Sequence, residues 1–337
     1  MALIRSLIVI FTLAVFGIAT VPAQSAEPVK LRVVWYVVPF AVTPVLFMKP
    51  ELMTHVGKTY NIELVHLASG SSFPTALAAG EVDIGPISAL PMATSIQNAH
   101  MDDLRLIADE YEDGVEGWYS GQFVVLKDSP IQKIEDLKGK VVANLGVGSS
   151  GDMAMRFMLR QHGLEAKRDY TTLEASPGNM PAMLLANKVE LINTTGLTSR
   201  AQNVIDNTRV LFDRRQAFGG PTQEATVVSR AGFLEKNRAA VVDYLEDYFR
   251  AMRWFYDPKN HDEAIKTVSA FNKAPEKQFD WMFTSGDEYR DPNGMPNMQG
   301  LQKSIDVLAE FGLIKTGLDI SKYTDFSLVK EATARIK

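Results

Sequence analysis

The chain has 337 residues, 46% of them hydrophobic, with 35 Lys and Arg against 40 Asp and Glu and a formal net charge of −5 at pH 7. A mildly acidic balance supplies no basic field for nucleic acid or anionic membrane, and the absence of cysteine excludes disulfides and thiolate chemistry. Stability must then come from the core, which a chain of this size is long enough to build.

Arg5 is the only charge in the first 26 residues, and a largely apolar run from Leu7 to Ala19 is too short to span a bilayer comfortably. Val21-Pro22-Ala23-Gln24-Ser25-Ala26 follows, with small residues suited to cleavage, so residues 1–26 read as a cleaved export signal and the protein as exported. Beyond it, apolar runs predict strands at 31–38, 62–67, 82–87, 104–108, 122–127, 140–144, 170–173, 189–193 and 224–229. Helices are predicted between them at 43–57, 73–79, 89–99, 151–162 and 180–187. A helical tail follows at 235–256, 262–271, 275–284 and 298–311. In its first helix Val241, Leu245, Tyr248, Phe249, Met252 and Phe255 share one broad face. Alternating strands and helices predict an α/β protein with a mostly parallel sheet in each part.

One unit occurs twice. Phe73-Pro-Thr-Ala-Leu-Ala-Ala-Gly80-Glu-Val-Asp-Ile-Gly85 has a weaker copy in Leu184-Leu-Ala-Asn187-Lys-Val-Glu190-Leu-Ile192. Each is a short apolar helix ended by a residue that tolerates the left-handed conformation, then one charged residue, a Val and a buried strand. A unit repeated once, about a hundred residues apart, predicts two similar lobes with a cleft between them, not a solenoid. Residues 27–122 are assigned to the first part of lobe 1 and 123–224 to lobe 2. Residues 225–337 complete lobe 1 and add the C-terminal helices.

A competing motif lies at Gly146-Val-Gly148-Ser149-Ser150-Gly151, a G-x-G-x-x-G between a strand and a helix, with Glu174 placed as a ribose partner would be. An NAD-dependent oxidoreductase is thus a weighed alternative, opposed by the export segment and by the duplication. The same backbone amides at a helix start suit an oxyanion. Asp152 in the first turn would repel one unless it pairs with Arg156 or meets a ligand cation.

In such lobes ligands sit beyond the carboxyl ends of the strands, which selects candidate residues by position. They are Tyr36 and Phe40 as aromatic walls, the hydroxyl-rich loop Ser69, Gly70, Ser71 and Ser72, then Ser88, Trp118 and Tyr119. In lobe 2 they are Gly148, Ser149 and Ser150, then Asn179, then Asn193, Thr194 and Thr195. This mix of hydroxyls, amides and rings favours a small organic anion, a sulfonate or carboxylate and an aromatic one among them. The expected holders are N–H and O–H donors rather than an arginine clamp, although Arg200, Arg214 and Arg215 lie in loops that can reach a cleft. The acidic run Asp109-Glu110-Tyr111-Glu112-Asp113 reads as a solvated loop, with an amine-bearing ligand as the other reading. The five His show no metal spacing, and neither a Walker loop nor a Gly-x-Ser-x-Gly elbow is present, so an enzyme, metal or cofactor is not expected.

Three segments carry a resemblance to a known family: Leu77-Ala-Ala-Gly80-Glu-Val-Asp-Ile-Gly85 with Pro91, Lys127-Asp-Ser-Pro-Ile131, and Leu137-Lys-Gly-Lys-Val-Val-Ala143. Together they resemble the periplasmic substrate-binding proteins of sulfonate, taurine and nitrate-type ABC importers, relatives of thiamine-precursor binders, over most of residues 30 to 260. The resemblance implies a two-lobed periplasmic-binding-protein type II fold. It also implies a monomer that closes on a small organic anion and delivers it to an ABC permease with its ATPase subunit. A thiamine precursor or pyrimidine is an alternative ligand, and a lyase on the same fold an alternative activity. Asn187, Glu190 and Ile192 depart from the Gly, Asp and small residue common in the second repeat.

Overall fold

The structure, a computed structural model, describes residues 27–67 and 70–336. The expected export segment and Ser69 lie outside the described residues. In chain order the strands are β1 (Val29–Trp35), β2 (Tyr60–His66), β3 (Ile84–Ile87), β4 (Leu104–Asp113), β5 (Gln122–Leu126), β6 (Val141–Asn144), β7 (Thr171–Glu174), β8 (Leu191–Thr194), β9 (Thr208–Asp213) and β10 (Thr222–Arg230). The helices are α1 (Thr43–Leu46), α2 (Phe73–Ala78), α3 (Ala89–Gln97), α4 (Ser150–Gln161), α5 (Met180–Leu185), α6 (Gly196–Ser199), α7 (Gln202–Asn207), α8 (Arg214–Phe218), α9 (Ala231–Phe255), α10 (His261–Asn272), α11 (Met298–Glu310) and α12 (Ser327–Arg335).

Two five-stranded sheets form, in the orders β2-β1-β3-β10-β4 and β7-β6-β8-β5-β9. They share one topology: three parallel strands, one antiparallel strand, then a strand antiparallel to that. The chain leaves the first sheet after Asp113 and returns at Thr222. Asp113 pairs with Thr222 in one sheet and Gln122 with Asp213 in the other, so the two crossings run side by side.

The duplicated unit sits at the same place in both sheets. Gly80 at φ +70° and Asn187 at φ +53° end α2 and α5 in the left-handed region. Val82 and Val189 are buried, and β3 and β8 become central strands. The carboxylate that follows each Val also does the same work. Asp83 accepts the backbone N–H of Arg32 at 2.9 Å and its guanidinium Nε at 2.8 Å, while Glu190 accepts the backbone N–H of Val141 at 3.0 Å. Glu190 thus satisfies, with a longer side chain, the neighbouring-strand donor that Asp83 satisfies in lobe 1.

The predicted apolar face of α9 is buried against one side of the first sheet with α1, α10 and α12, and α2, α3 and α11 cover the other side. Several expectations change. The helix expected at 43–57 stops after Leu46 and resumes only as a 3-10 turn at Pro50–Leu52, because Pro50 has no amide to give the Leu46 carbonyl of a continuous helix. The helix expected at 275–284 is only a 3-10 turn, Glu276–Gln278. The tail is not confined to lobe 1: Arg160 of α4 lies 3.8 Å from the centroid of the Phe311 ring, and Lys303 of α11 donates to the Phe218 carbonyl. The acidic run is no solvated loop. It extends β4, with Asp109, Glu110, Glu112 and Asp113 all buried, since this strand lies between β10 and the C-terminal segment.

Asp109 accepts from Gln223 Nε2 at 2.5 Å and from the Asp291 backbone N–H at 2.8 Å, and burial still pushes its carboxyl well above the usual range. Burial likewise raises Glu110 to about 7, opposed by the charge of Arg290. One His–Asp–Glu group, His55 with Asp243 and Glu246, has metal-like spacing. Its carboxylates are already faced by Arg335 at 2.9 Å from Asp243 and by Arg250 beside Glu246, which makes it an ion-pair network. Among the described residues no helix is long and apolar enough to cross a membrane.

Candidate functional site

The strand ends and the two crossings line a partly open cavity of about 160 Å³ between the lobes. Lobe 1 contributes Phe40 from the loop after β1, Tyr111 and Asp113 from the end of β4, and Glu288 from the segment before α11. The crossings contribute Tyr119, Gly121 and Arg214. Lobe 2 contributes Leu145 after β6, Ser150 at the start of α4, Pro177, and Thr194 and Thr195 after β8. These are positions beyond the carboxyl ends of parallel strands, and the size suits a small solute.

Arg214 is the central charge. Its guanidinium pairs with Glu224 at 2.6 Å and faces Asp113 at 3.6 Å, while Asp113 accepts from Ser120 Oγ at 2.6 Å and the Gly121 N–H at 2.8 Å. Burial works against the Arg214 cation, but Glu224 and Asp113 outweigh it and the pKa rises. Burial raises Asp113 to about 6, opposed by Arg214. Gly121 permits this close approach: an added Cβ would lie 2.7 Å from Arg214 Nε.

Three buried polar atoms in the cavity wall have no hydrogen-bond partner among the described residues: Arg214 Nε, the Tyr119 hydroxyl and Glu288 Oε2. Tyr119 lies near Ser199 and Thr194 without bonding geometry to either, and burial raises it to about 12. Arg200 stacks over the Tyr119 ring at 4.7 Å but gives its N–H groups to carbonyl oxygens of Gly196 and Gly286. Unpaired buried polar atoms are costly, and these three belong to residues that line one cavity.

The candidates chosen by position divide here. Phe40, Tyr119, Ser150, Thr194 and Thr195 line the cavity together. Thr194 also donates to the Gln122 carbonyl at 3.2 Å. Asn193 is buried just beneath, donating to Gln122 and Thr194 carbonyls. Tyr36 stands outside the lining, its hydroxyl given to the Pro86 carbonyl at 2.8 Å and its ring against Gly70. Ser71 and Ser72 are exposed at the start of α2. Trp118 packs on Tyr289 and Tyr256 in a separate surface groove, and Asn179 is exposed at the start of α5.

Ser88 and Gly148 belong to a tighter junction where Leu90 of α3 meets the loop before α4. An added Cβ at Gly148, which has φ +80°, would lie 2.1 Å from Leu90 Cδ2. Gly148→Val is therefore expected to hold the lobes apart and enlarge the protein in small-angle scattering, while leaving each sheet intact by circular dichroism.

Two amides of the glycine loop are already used by carboxylates of the protein itself. The Val147 N–H donates to Glu174 Oε1 at 3.1 Å, and the Gly148 N–H to Asp152 Oδ2 at 2.9 Å. Asp152 is buried and paired with Arg156 at 2.9 Å, and Ser149 caps α4 by accepting the Asp152 N–H at 3.2 Å. Glu174, expected on a ribose, closes the loop instead. Sequence reasoning missed Tyr111, Asp113, Gly121, Leu145, Pro177 and Glu288. A signal existed only for Asp113 and Arg214, charged residues at the two crossing points.

A sequence profile of the NMT1-like family matches residues 24–269. The chain belongs to the NMT1-like family. Among solved structures it is similar to the periplasmic aliphatic sulphonate-binding protein SsuA of Escherichia coli (TM-score 0.70, 21% identity, 88% of this chain and 92% of that one). It is also similar to the periplasmic nitrate-binding protein NrtA of Synechocystis (TM-score 0.67, 17% identity, 92% and 90%). The desulfurization enzyme DSZB is a neighbour as well (TM-score 0.66, 12% identity, 92% and 100%). At these identities the likeness is one of fold, that of the two-lobed periplasmic binding proteins. No curated protein matches the sequence.

Proposed function

We propose that this NMT1-like protein is exported, loses residues 1–26, and captures a small organic anion between its lobes for an ABC permease and its ATPase subunit. The observation that carries the reading is the convergence of unpaired donors, Arg214 Nε–H and the Tyr119 hydroxyl, on a cavity also lined by Ser150, Thr194 and Thr195. The anionic group sits against these donors. Arg214 replaces the arginine-free holder expected from composition. Phe40 and Tyr111, with ring centroids 6.0 Å apart, wall the organic part. Function is a population shift: a solute touching both lobes favours the closed form, which the permease recognises.

The test is a thermal-shift and calorimetric screen of residues 27–337 against alkyl and aryl sulfonates, aromatic carboxylates, nitrate, thiamine precursors and NAD. A ligand at about a hundred times its dissociation constant is expected to add roughly 2.7 kcal/mol, a rise of several degrees. Thr194→Ala is expected to weaken the hit by up to about tenfold, one hydrogen bond's worth, without lowering the melting temperature of the free protein by more than a few degrees. Stabilisation by NAD alone refutes capture of an organic anion. The DSZB likeness raises an enzyme reading, which chemical change of the bound solute on prolonged incubation would establish against this proposal.

A further inference from the structure

Among the described residues Arg214 is the one guanidinium that lines the cavity, and it is shared. Glu224 on β10 holds it at 2.6 Å, and Asp113 at the end of β4 faces it at 3.6 Å. Two carboxylates thus stand against one cation before any solute arrives. Both are buried, so water and salt screen little of the charge that an anion brings. An anionic group against Arg214 Nε sets three negative groups on a single positive one, and like charges that share a buried site cannot all stay ionised.

The two carboxylates are not equivalent. Glu224 makes the shorter ion pair, accepts from the Thr222 hydroxyl at 3.1 Å and stands outside the cavity lining. Asp113 lines the cavity, faces Arg214 at the longer distance and otherwise takes only neutral donors, the Ser120 hydroxyl at 2.6 Å and the Gly121 N–H at 2.8 Å. A protonated Asp113 keeps both bonds, because its remaining oxygen accepts from Gly121 and its own O–H turns to Ser120 Oγ, a hydroxyl that donates or accepts. The other titratable groups around it differ. Burial raises the Tyr119 hydroxyl of the first crossing to about 12 and holds Glu288 of the tail segment well above the usual range. Arg215, packed on Gly114, turns its guanidinium to Glu116 at 3.6 Å.

We infer that anion capture in this cleft is proton-linked: Asp113 takes up a proton as the anion settles against Arg214, so the cleft binds an anion and a proton together. This rests on the capture reading above and deepens it. In the free protein burial raises the Asp113 carboxyl to about 6, opposed by the Arg214 charge, so at pH 7 it is mostly ionised. A bound anion engages the same guanidinium and adds its own charge, which raises Asp113 further. Affinity is therefore full where Asp113 is already protonated, below about pH 6. Above that it falls as pH rises, by up to about tenfold per pH unit for one proton taken up.

Calorimetry on residues 27–337 tests this with ethanesulfonate, benzenesulfonate and benzoate, which stay singly anionic from pH 6 to 8, in buffers of different ionisation enthalpy. For an anion that binds, affinity is expected to fall about tenfold or more from pH 6 to 8, with net proton uptake above pH 7. Asp113→Asn, a neutral isostere, is expected to flatten this profile and to bind more tightly than wild type at pH 8. A wild-type affinity that is flat or rises with pH overturns the inference while the capture reading stands. A pH dependence that survives intact in a folded Asp113→Asn protein also overturns it. Binding of none of the three anions, by protein whose melting curve shows it folded, refutes the anion-capture reading and this inference with it. The wild-type profile needs no variant, so a misfolded Asp113→Asn leaves the test in force.

Discussion

Arg214→Met is expected to lower the melting temperature by about 10 °C and to abolish solute binding. Arg214 is buried and holds Glu224 at 2.6 Å and Asp113 at 3.6 Å, one carboxylate from each of two adjacent strands of lobe 1. Removing one partner of a buried ion pair leaves the other charge uncompensated, at a cost of about 3–5 kcal/mol. For a domain of this size that is several degrees per few kcal/mol. Part of the loss is recoverable by acid, since burial already raises the Asp113 carboxyl, removing Arg214 takes away the charge that opposes this rise, and a protonated carboxyl needs no counter-charge. The variant is therefore expected to gain stability relative to wild type as pH falls from 7 to 5. Arg214→Lys restores charge but not the Nε–H donor, and is expected to recover much of the stability with little of the affinity. Melting curves at pH 5 and 7, with calorimetry against the best ligand, check both parts. A stable Arg214→Met protein with wild-type affinity would remove Arg214 from the site.

Asp247→Ala has the second large effect, on stability alone. Asp247 lies on α9, fully buried, and its carboxylate accepts from five donors of four residues. They are the Thr54 N–H at 2.9 Å and hydroxyl at 3.0 Å, the His55 N–H at 3.0 Å, the Tyr60 hydroxyl at 2.9 Å and Arg250 at 2.6 Å. It ties the loop before β2 to the longest helix. Truncation leaves these donors unpaired in a dry setting, so a loss of about 3–5 kcal/mol is expected, read as a fall in the urea midpoint. Because this hub lies on the α9 side of the first sheet, away from the cavity, ligand affinity of the folded fraction is expected to be unchanged. An altered affinity would show that the lobe 1 scaffold and the cleft are coupled.

What was legible in the sequence was local. Gly80 and Asn187 sit where a helix must end in the left-handed region, and the apolar run after each can only be a buried strand, so two lobes followed from a repeat of nine to thirteen residues. The α9 face was equally plain, since its period is fixed by helix geometry and its partner only has to be apolar. The acidic strand was misread because a run of charges signals solvent unless the neighbours that bury it are known. Those neighbours, Gln223 on β10 and the backbone of Asp291, lie more than a hundred residues away.

The same reason limits the site. Thr194, Thr195 and Ser150 could be chosen because they follow strands, and position along a strand is a local property. Tyr111, Asp113, Tyr119, Arg214 and Glu288 come from three separate stretches of chain, and only the two side-by-side crossings and the return of the tail bring them to one cavity. The sequence by itself determined two α/β lobes, a cleft between them and hydroxyls on one wall. The tertiary structure alone decided which charges face that cleft and which are spent on one another, because pairing of buried charges depends on distances that no local pattern encodes.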